Sequence, residues 1–395
     1  MKHRTSIAAG LAAAVLVFAG CAAPGIGSTQ TTTTTTTSTT TSPTASAAPA
    51  TDATTTSVTA PALPEVDWSS LPSTKVTLSD EDLVITEAGT YVLTGTSTGQ
   101  VRVDTDGDVR IILDGVTIAS TDGAAIQVDN AELVVLELAD GSVNTVSDAA
   151  TRSDEEIDGA IYSSDDLVIT GTGTLEVDAT FADGIVGKDD LWIESGTITV
   201  TSVDDGIRGK DSLTVVGGTI TIDAVGDGMK STNDSDLGKG QLTIADGTIT
   251  IASGDDAIKA EQSLLISGGT IDITESVEGI EAPVIVIDGG DVTLNASDDG
   301  INASASELIT EGLSITINGG NLTITMAAGD TDAIDSNGDL AITGGTLTIS
   351  AQSPFDFDGT GTLTGGTITV NGQQVTELTN QMMGGGPRGG GPGGR

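Results

Sequence analysis

A repeat of about 22 residues constrains this chain more than any other feature. Residues 204–222 show one copy: an acidic pair, a glycine and an apolar residue, then two alternating strands joined by a Gly-Gly turn. The acidic position recurs with spacings of 25, 22, 22, 29, 22, 21 and 33 residues. A repeat of this length with strand-type contents indicates a stacked β-solenoid, in which each coil contacts its neighbours.

The alternation within each copy predicts which side chains face inward. Leu213 and Val215, then Ile220 and Ile222, alternate with polar or small residues, so they should form inward ladders of aliphatic side chains. The Gly-Gly pairs suit tight corners between strands. Short, regular connections favour a right-handed parallel β-helix over a propeller. We therefore predict an all-β, right-handed parallel β-helix with an N-terminal cap over residues 67–375.

The N-terminus has the features of a secretory leader. Lys2, His3 and Arg4 precede an apolar run that is too short to span a bilayer. The end of this run, residues 17–21, resembles a bacterial lipobox, which predicts cleavage after residue 20 and lipid on Cys21. Residues 21–66 are rich in Thr, Ser and Pro and predict a disordered linker; residues 376–395 predict a Gly-rich disordered tail. The protein would then lie on the extracellular face of a bacterial membrane, held by its lipid.

Composition excludes several classes of function. The formal net charge of −43 should repel nucleic acid and attract cations. His3 is the only histidine, so the mature protein has no catalytic His triad and no His-ligated zinc site. Cys21 is the only cysteine, which excludes an intrachain disulfide. We expect a monomer.

Stacking of the repeats would align their acidic residues into a ladder with a step of about 4.8 Å. Carboxylates at that distance repel one another or take up protons, and Ca²⁺, which prefers oxygen ligands, would relieve the repulsion. The alternative is that each Asp-Gly pair only forms a turn. We predict several calcium ions. Their predicted ligands are Asp183, Asp204, Asp205, Asp227, Asp255, Asp256, Glu278, Asp298, Asp299 and Asp332.

A second column consists of the residues three positions after the junction acids. Three successive coils carry Arg208, Lys230 and Lys259 there, with Lys210 close by. These cations suit a polyuronate, whose carboxylates they would pair; alternatively they only neutralise neighbouring Asp. Two aromatic residues, Tyr162 and Trp192, are further candidates for contact with a sugar. Trp192 should face outward, where it would stack on a sugar or cover a coil end or loop.

Two coils carry insertions at the same place in the repeat, residues 233–240 and 304–312. Because equivalent positions stack, these loops should flank one stretch of surface that includes Asp255, Asp256 and Glu278.

Taken together, these motifs resemble the bacterial surface β-helix carbohydrate-binding family. The motifs that show the resemblance are Asp-Asp-Gly-Ile at residues 204–207 and 298–301 and the related sequence Asp-Asp-Ala-Ile at residues 255–258. The sequence Gly-Gly-Thr-Ile follows the copies at 204–207 and 255–258. The resemblance implies binding of cellulose or polygalacturonate, calcium between coils, and a fold similar to that of family-nine pectate lyases. Calcium ligands would be Asp204, Asp205, Asp255, Asp256, Asp298 and Asp299.

Three functions follow from the sequence. The first is a non-catalytic, lipid-anchored protein that binds polysaccharide, cellulose or polyuronate, with the help of calcium. The second is a calcium-dependent lyase that uses Lys259 or Lys230 as its base. The third is a structural adhesin or spacer in which calcium serves stability alone.

Overall fold

The computed structural model describes residues 62–329 and 331–380. Within these ranges the chain forms β-strands and one short 3₁₀ turn, Trp68–Ser70. None of the helical structure in these ranges has the length and apolarity needed to cross a bilayer. The predicted leader, Cys21, most of the predicted linker and the last residues of the predicted tail lie outside the described residues.

Successive strands follow the repeat and form three parallel stacks, with one strand of each stack in most coils. The strand that follows the acidic junction belongs to what we call the junction stack. Its members are β2 (Leu83–Ile85), β4 (Val101–Asp104), β6 (Ile126–Asn130), β9 (Gly159–Ser163), β12 (Asp183–Gly187), β15 (Ile207–Gly209), β18 (Met229–Ser231), β21 (Ile258–Ala260), β24 (Ile280–Glu281), β27 (Ile301–Ala303), β30 (Ile334–Ser336) and β33 (Asp356–Phe357).

The strand before each Gly-Gly corner forms the middle stack, and the strand after it forms the threonine stack. The middle stack comprises β7 (Leu133–Leu138), β10 (Asp166–Gly171), β13 (Asp190–Ile193), β16 (Ser212–Val215), β19 (Gln241–Ile244), β22 (Ser263–Ile266), β25 (Val284–Ile287), β28 (Ser314–Ile317), β31 (Asp339–Ile342) and β34 (Gly361–Leu363). The threonine stack comprises β8 (Val143–Ser147), β11 (Thr174–Ala179), β14 (Thr197–Ser202), β17 (Thr219–Ala224), β20 (Thr248–Ser253), β23 (Thr270–Glu275), β26 (Asp291–Ala296), β29 (Asn321–Met326), β32 (Thr346–Ser350) and β35 (Thr367–Val370). The long strands β1 (Ser73–Leu78), β3 (Gly89–Ser97) and β5 (Val109–Ala119) begin the fold, and β36 (Gln373–Val375) ends it.

The register between coils confirms the predicted ladders. Ile220 pairs with Ile198 on one side and Ile249 on the other, and all three are fully buried. Thr199 and Thr221, which alternate with the inward residues of two of these strands, are exposed. Each buried aliphatic side chain contributes about 1.5–3 kcal/mol, so a core with few aromatic residues is sufficient. The predicted all-β parallel solenoid is confirmed.

Glycine is needed at two places in the coil for different reasons. Gly218, the second residue of a Gly-Gly corner, has φ +94°, which other residues rarely adopt. Gly184, at the acidic junction, has no positive φ; instead, a Cβ there would lie 2.3 Å from Val200 Cγ1 and 2.5 Å from the carbonyl oxygen of Gly206. The junction glycine therefore allows adjacent coils to approach closely.

The two ends of the domain depart from the regular coil. Strand β1 pairs in register with β3 at the N-terminal end. Apolar packing reaches Leu63 at one end and Leu378 at the other. At the C-terminal end, β36 turns back and pairs antiparallel with β35, which ends the parallel stacking.

Candidate functional site

The residues three positions after the junction acids form one column on the junction stack, as predicted, and strand register extends this column to Gln127, Tyr162 and Asp356. We call it the outward column. Its members, in register from coil to coil, are Gln127, Tyr162, Val186, Arg208, Lys230, Lys259, Glu281, Asn302, Asp335 and Asp356. Its charge changes along the stack, with three cations followed by Glu281, Asn302 and two aspartates.

The junction acids also stack, and the structure shows how they are held. Asp205 donates its backbone N–H to Asp183 Oδ1 at 3.1 Å, Asp227 donates to Asp205 Oδ1 at 2.9 Å, and Asp256 donates to Asp227 Oδ1 at 2.9 Å. We call this series the acidic ladder. Each carboxylate thus accepts a backbone N–H that would otherwise need a carbonyl oxygen of the neighbouring coil. These acids therefore help to hold adjacent coils together.

The ladder is interrupted at one coil and then resumes. Asp332 donates its N–H to Asp299 Oδ1 at 3.1 Å. Between the two runs, Glu278 accepts the side-chain amide of Asn302 at 3.1 Å on both carboxylate oxygens. In the doubled acids, the first member, such as Asp204, Asp255 or Asp298, is exposed and leaves the second to form the ladder.

The cations of the outward column pair with the acidic ladder. Arg208 Nε lies 2.7 Å from Asp183 Oδ2, Lys230 Nζ lies 2.6 Å from Asp227 Oδ2, and Lys259 Nζ lies 2.6 Å from Asp256 Oδ2. These pairs are largely buried. The geometry therefore supports the alternative that the cations neutralise neighbouring Asp, and it does not leave them free for an anionic ligand. Lys210 lies beyond the end of β15 and contributes no ion pair within the described residues.

The pKa values follow this distribution of charge. Burial raises the pKa of Asp183 to about 6, although Arg208 opposes the increase. For Lys259, burial alone would lower the pKa, but hydrogen bonds to Asp256 and Glu281 outweigh burial and raise it. Lys259 is therefore a firmly protonated cation.

Beyond Lys259 the column contains no cation among the described residues. Several carboxylates in this part of the stack have pKa values above the ordinary values of Asp and Glu. Burial, with the neighbouring charges of Glu281 and Asp256, raises the pKa of Glu278 to about 8. Burial contributes most to the raised pKa of Asp299, about 6, and to that of Asp335, about 7. The charges of other acids nearby raise both pKa values further. Part of the acidic surface is thus uncompensated by the protein's own charges.

Two groups of three carboxylates have ligand oxygens within 4.8 Å of one another: Asp227, Asp255 and Asp256, and Asp256, Glu278 and Glu281. Carboxylate oxygens are the donors that Ca²⁺ prefers, so the donor set fits this ion. Four of the predicted ligands take part, together with Glu281, which was not among the predicted ligands. The other predicted ligands form no such group within the described ranges. These are Asp183, Asp204, Asp205, Asp298, Asp299 and Asp332.

Trp192 faces outward as predicted, but it is covered and not open to a sugar, which supports the alternative that it packs against another segment. Its side chain lies outside the main core, but only 2 % of its surface is accessible. Leu63, Val66 and Trp68 pack over the cluster that contains it, so the segment before β1 covers the indole. Tyr162 is likewise buried, next to Val186, and Lys188 Nζ lies 5.5 Å from the centre of its ring. Neither aromatic presents an open face to a sugar.

The two inserted loops follow the ends of the junction strands β18 and β27. The first is fixed by Gln262, whose amide donates to Asp236 O at 2.6 Å. The second, residues 304–310, borders an open pocket of about 570 Å³. The sequence analysis did not predict this pocket. The signal that could have indicated it is that both insertions fall at the same place in the repeat, so that they add loops to one side of the stack. Its lining comprises Lys259, Ala260, Glu261, Glu281, Ala282, Pro283, Ser304, Ala305, Ser306, Glu307 and Thr310.

Comparisons with known proteins indicate a class of ligand. A family described as "Carbohydrate-binding domain-containing protein" matches residues 79–331 and 275–379. A protein of that description from Acetivibrio thermocellus is 35 % identical over 133 residues, which cover 32 % of this chain and 46 % of the relative. A solved structure titled as a polysaccharide lyase-like protein from C. thermocellum, a gadolinium derivative, is 33 % identical, with a TM-score of 0.48, over 55 % of this chain and 92 % of that one.

Proposed function

The chain belongs to the carbohydrate-binding domain-containing family, and from this premise we propose that it is a non-catalytic protein that binds polysaccharide in a calcium-dependent manner. The family match over most of the solenoid is the observation that supports carbohydrate binding. The ligand class we propose is cellulose or a pectin-type polyuronate, bound along the junction stack. The open pocket beside Lys259 and the second loop lies on that stack and supports this location.

Calcium would be held by the two carboxylate groups that share Asp256. Asp255 is exposed, and Asp227 and Glu278 lie in neighbouring coils, so an ion there would connect one coil to the next. When bound, the ion would supply positive charge to a surface with a large excess of carboxylates. Lys230 and Lys259 already pair with Asp227 and Asp256, so the lysines and the ion would share these carboxylates.

The state of the lysines supports a non-catalytic function. A lyase base must be able to lose its proton near the working pH. Hydrogen bonds to carboxylates, opposed by burial, raise the pKa of both Lys230 and Lys259. Both predicted bases are therefore held in the charged form, which cannot accept a proton.

The cellular location is part of the same proposal. A lipid on Cys21 would hold the protein on the extracellular face of the bacterial membrane, and the Thr-rich linker would carry the solenoid away from the bilayer. A polysaccharide ligand outside the cell is consistent with this arrangement.

Glycan-array binding of the full mature protein tests the function, with three conditions: calcium, EDTA, and EDTA followed by calcium in excess. We expect binding to a cellulose- or pectin-type glycan with calcium, loss with EDTA, and recovery when calcium is restored. Binding that EDTA does not change would refute calcium dependence. No binding to any glycan, together with a melting temperature that calcium raises, would support the structural adhesin instead.

A further inference from the structure

The cations of the outward column connect neighbouring coils, and the last coils of the stack have no such cation. Arg208 pairs with one aspartate in each of two successive coils, and Lys230 does the same. The ladder acids resume farther along, but the column there continues with Asn302, Asp335 and Asp356. No ion pair within the described residues includes Asp335 or Asp356. The fold therefore repeats the acidic arrangement without the cation that accompanies it in earlier coils.

Asn302 shows that a hydrogen-bond donor is also missing at this place. Its side-chain amide donates to both carboxylate oxygens of Glu278 at 3.1 Å, but its Oδ1 is buried and accepts no hydrogen bond. The residue is only 7 % exposed, and its neighbours in register are Glu281 and Asp335. Ionised carboxylates offer acceptors alone, so neither neighbour supplies the N–H that Oδ1 lacks. Buried polar groups without a partner are rare in native proteins, which indicates that an external donor completes this one.

Calcium at the groups proposed above does not account for this part of the column. Those two groups share Asp256 and include Glu278 and Glu281. An ion there would neutralise these acids and leave Asp335 and Asp356, which lie in later coils, without a counter-charge. Among the described residues, Asp335 and Asp356 belong to no group of three carboxylates close enough to hold one ion. Carboxylates that are spread over successive coils suit a larger cation with several donors.

We propose that Asn302, Asp335 and Asp356 form a binding site for the guanidinium group of an arginine in a polypeptide segment. A guanidinium carries several N–H donors in a planar fork and keeps its charge at every physiological pH. One edge donates to Asn302 Oδ1, and another pairs with the carboxylate of Asp335, just as Arg208 pairs with acids of two coils. This site is separate from polysaccharide binding and does not depend on it.

The chain itself contains a source of arginine close to this site. Asn380 donates its side-chain amide to the carbonyl oxygen of Phe357 at 2.6 Å, directly after Asp356 in β33. Arg388 and Arg395 follow Asn380 in the sequence and lie outside the described residues. The chain from residue 380 to 388 can span about 26 Å at about 3.3 Å per residue, whereas neighbouring coils are about 4.8 Å apart. A segment of another protein is the second source, and the experiment separates the two.

Calorimetry with a synthetic peptide tests the site. The arginine probe has the sequence of residues 384–395, and a second probe carries Gln in place of both arginines. Binding to the full mature protein is measured with calcium and with EDTA at pH 8, where Asp335 is ionised because its pKa, raised mainly by burial, is about 7. Asp335→Lys puts a cation into the column, as in the coils of Lys230 and Lys259. Asp272→Lys makes the same change of charge at an exposed position of the threonine stack and is the matched control.

The proposal expects wild type and Asp272→Lys to bind the arginine probe with affinities within threefold of each other, and Asp335→Lys to bind it at least tenfold more weakly. Asp335→Asn removes one charge without adding another, so it should weaken binding by threefold or more, and it provides the test if Asp335→Lys lowers the melting temperature. The Gln probe should bind wild type at least tenfold more weakly than the arginine probe. These differences should persist in calcium, because the proposed calcium groups do not include Asp335.

The double variant Arg388→Gln/Arg395→Gln separates the two sources of arginine. If the chain's own arginine occupies the site, this variant should bind the arginine probe at least threefold more tightly than wild type, because the competing group is gone. An unchanged affinity would assign the same site to an arginine of another polypeptide.

Equal affinities of Asp335→Lys and Asp272→Lys for the arginine probe would overturn the site, because general attraction to an acidic protein would then account for the binding. Equal binding of the arginine and Gln probes to wild type would overturn it as well. Neither outcome changes what is expected on the glycan array, so a failure of this inference is distinguishable from a failure of the proposed function.

Discussion

Substitution of Arg208 by alanine provides a direct test of how the acidic ladder is neutralised. Arg208 pairs with both Asp158 and Asp183, and its side chain is only 14 % exposed, compared with 4 % for that of Asp183. The substitution would leave Asp183 buried without its cation. Asp183 would retain one favourable contact, the backbone N–H of Asp205.

The expected loss is about 3 kcal/mol of unfolding free energy at pH 8. Removal of one partner from a buried ion pair costs about 3–5 kcal/mol. The lower limit applies because Arg208 has some contact with solvent and because Lys188 remains 3.6 Å from Asp158. The loss should depend on pH. The pKa of Asp183 is raised by burial to about 6 even with Arg208 present, so a proton replaces the missing cation at lower pH. At pH 5 the loss should therefore be much smaller than at pH 8.

Urea unfolding followed by circular dichroism, at both pH values and in EDTA, measures the effect. Lys239→Ala is the matched control, since its pair with Asp211 involves a side chain that is 48 % exposed and should contribute less than about 1 kcal/mol. A loss for Arg208→Ala no larger than that of the control at pH 8, or a loss equal at both pH values, would refute the view that Arg208 compensates the charge of Asp183.

Two further substitutions test the rest of the stack. Asp335→Asn, in the part of the column without cations, should stabilise the protein by about 1 kcal/mol at pH 8 in EDTA, because burial and neighbouring acids raise the pKa of Asp335 to about 7. A carboxyl group with a raised pKa destabilises the folded state once it is ionised, so the gain from Asp335→Asn should shrink as the pH falls towards 4. Asp272→Asn, at an exposed position, is the control. A loss of stability of Asp335→Asn at pH 8 would contradict the reasoning. Ile222→Ala should reduce stability by about 2–5 kcal/mol, because Ile222 is 1 % exposed within an aliphatic ladder, whereas Thr221→Ala on the exposed side should cost well under 1 kcal/mol in the same urea titration. Equal effects of these two changes would be incompatible with the assigned inward and outward faces.

Several features of the coil could be predicted because they depend on local periodicity. The alternation of residues 219–222 determines which side chains face the core, since successive residues of a strand point to opposite sides. The constant repeat length then places Arg208, Lys230 and Lys259 in one column and Asp183, Asp205 and Asp227 in another. Both columns are present in the structure, with the predicted register.

Other features could not be predicted because they depend on contacts between distant segments or on the direction of a long side chain. Trp192 is outward by periodicity, yet residues from Leu63 to Trp68 cover it, and the repeat contains no information about the path of that segment. The sequence left open whether Lys259 is free or paired; the positions of Asp256 and Glu281 in adjacent coils decide it. The pocket likewise exists only because the second loop folds beside Glu261.

By itself, the sequence determined the solenoid, its register and the alignment of its charges, because a short repeat specifies the same backbone path and the same neighbours in every coil. Only the tertiary structure decided which charges are neutralised, which aromatic residues are covered and where an open pocket remains. Those outcomes depend on side-chain packing between coils and on loops that depart from the repeat.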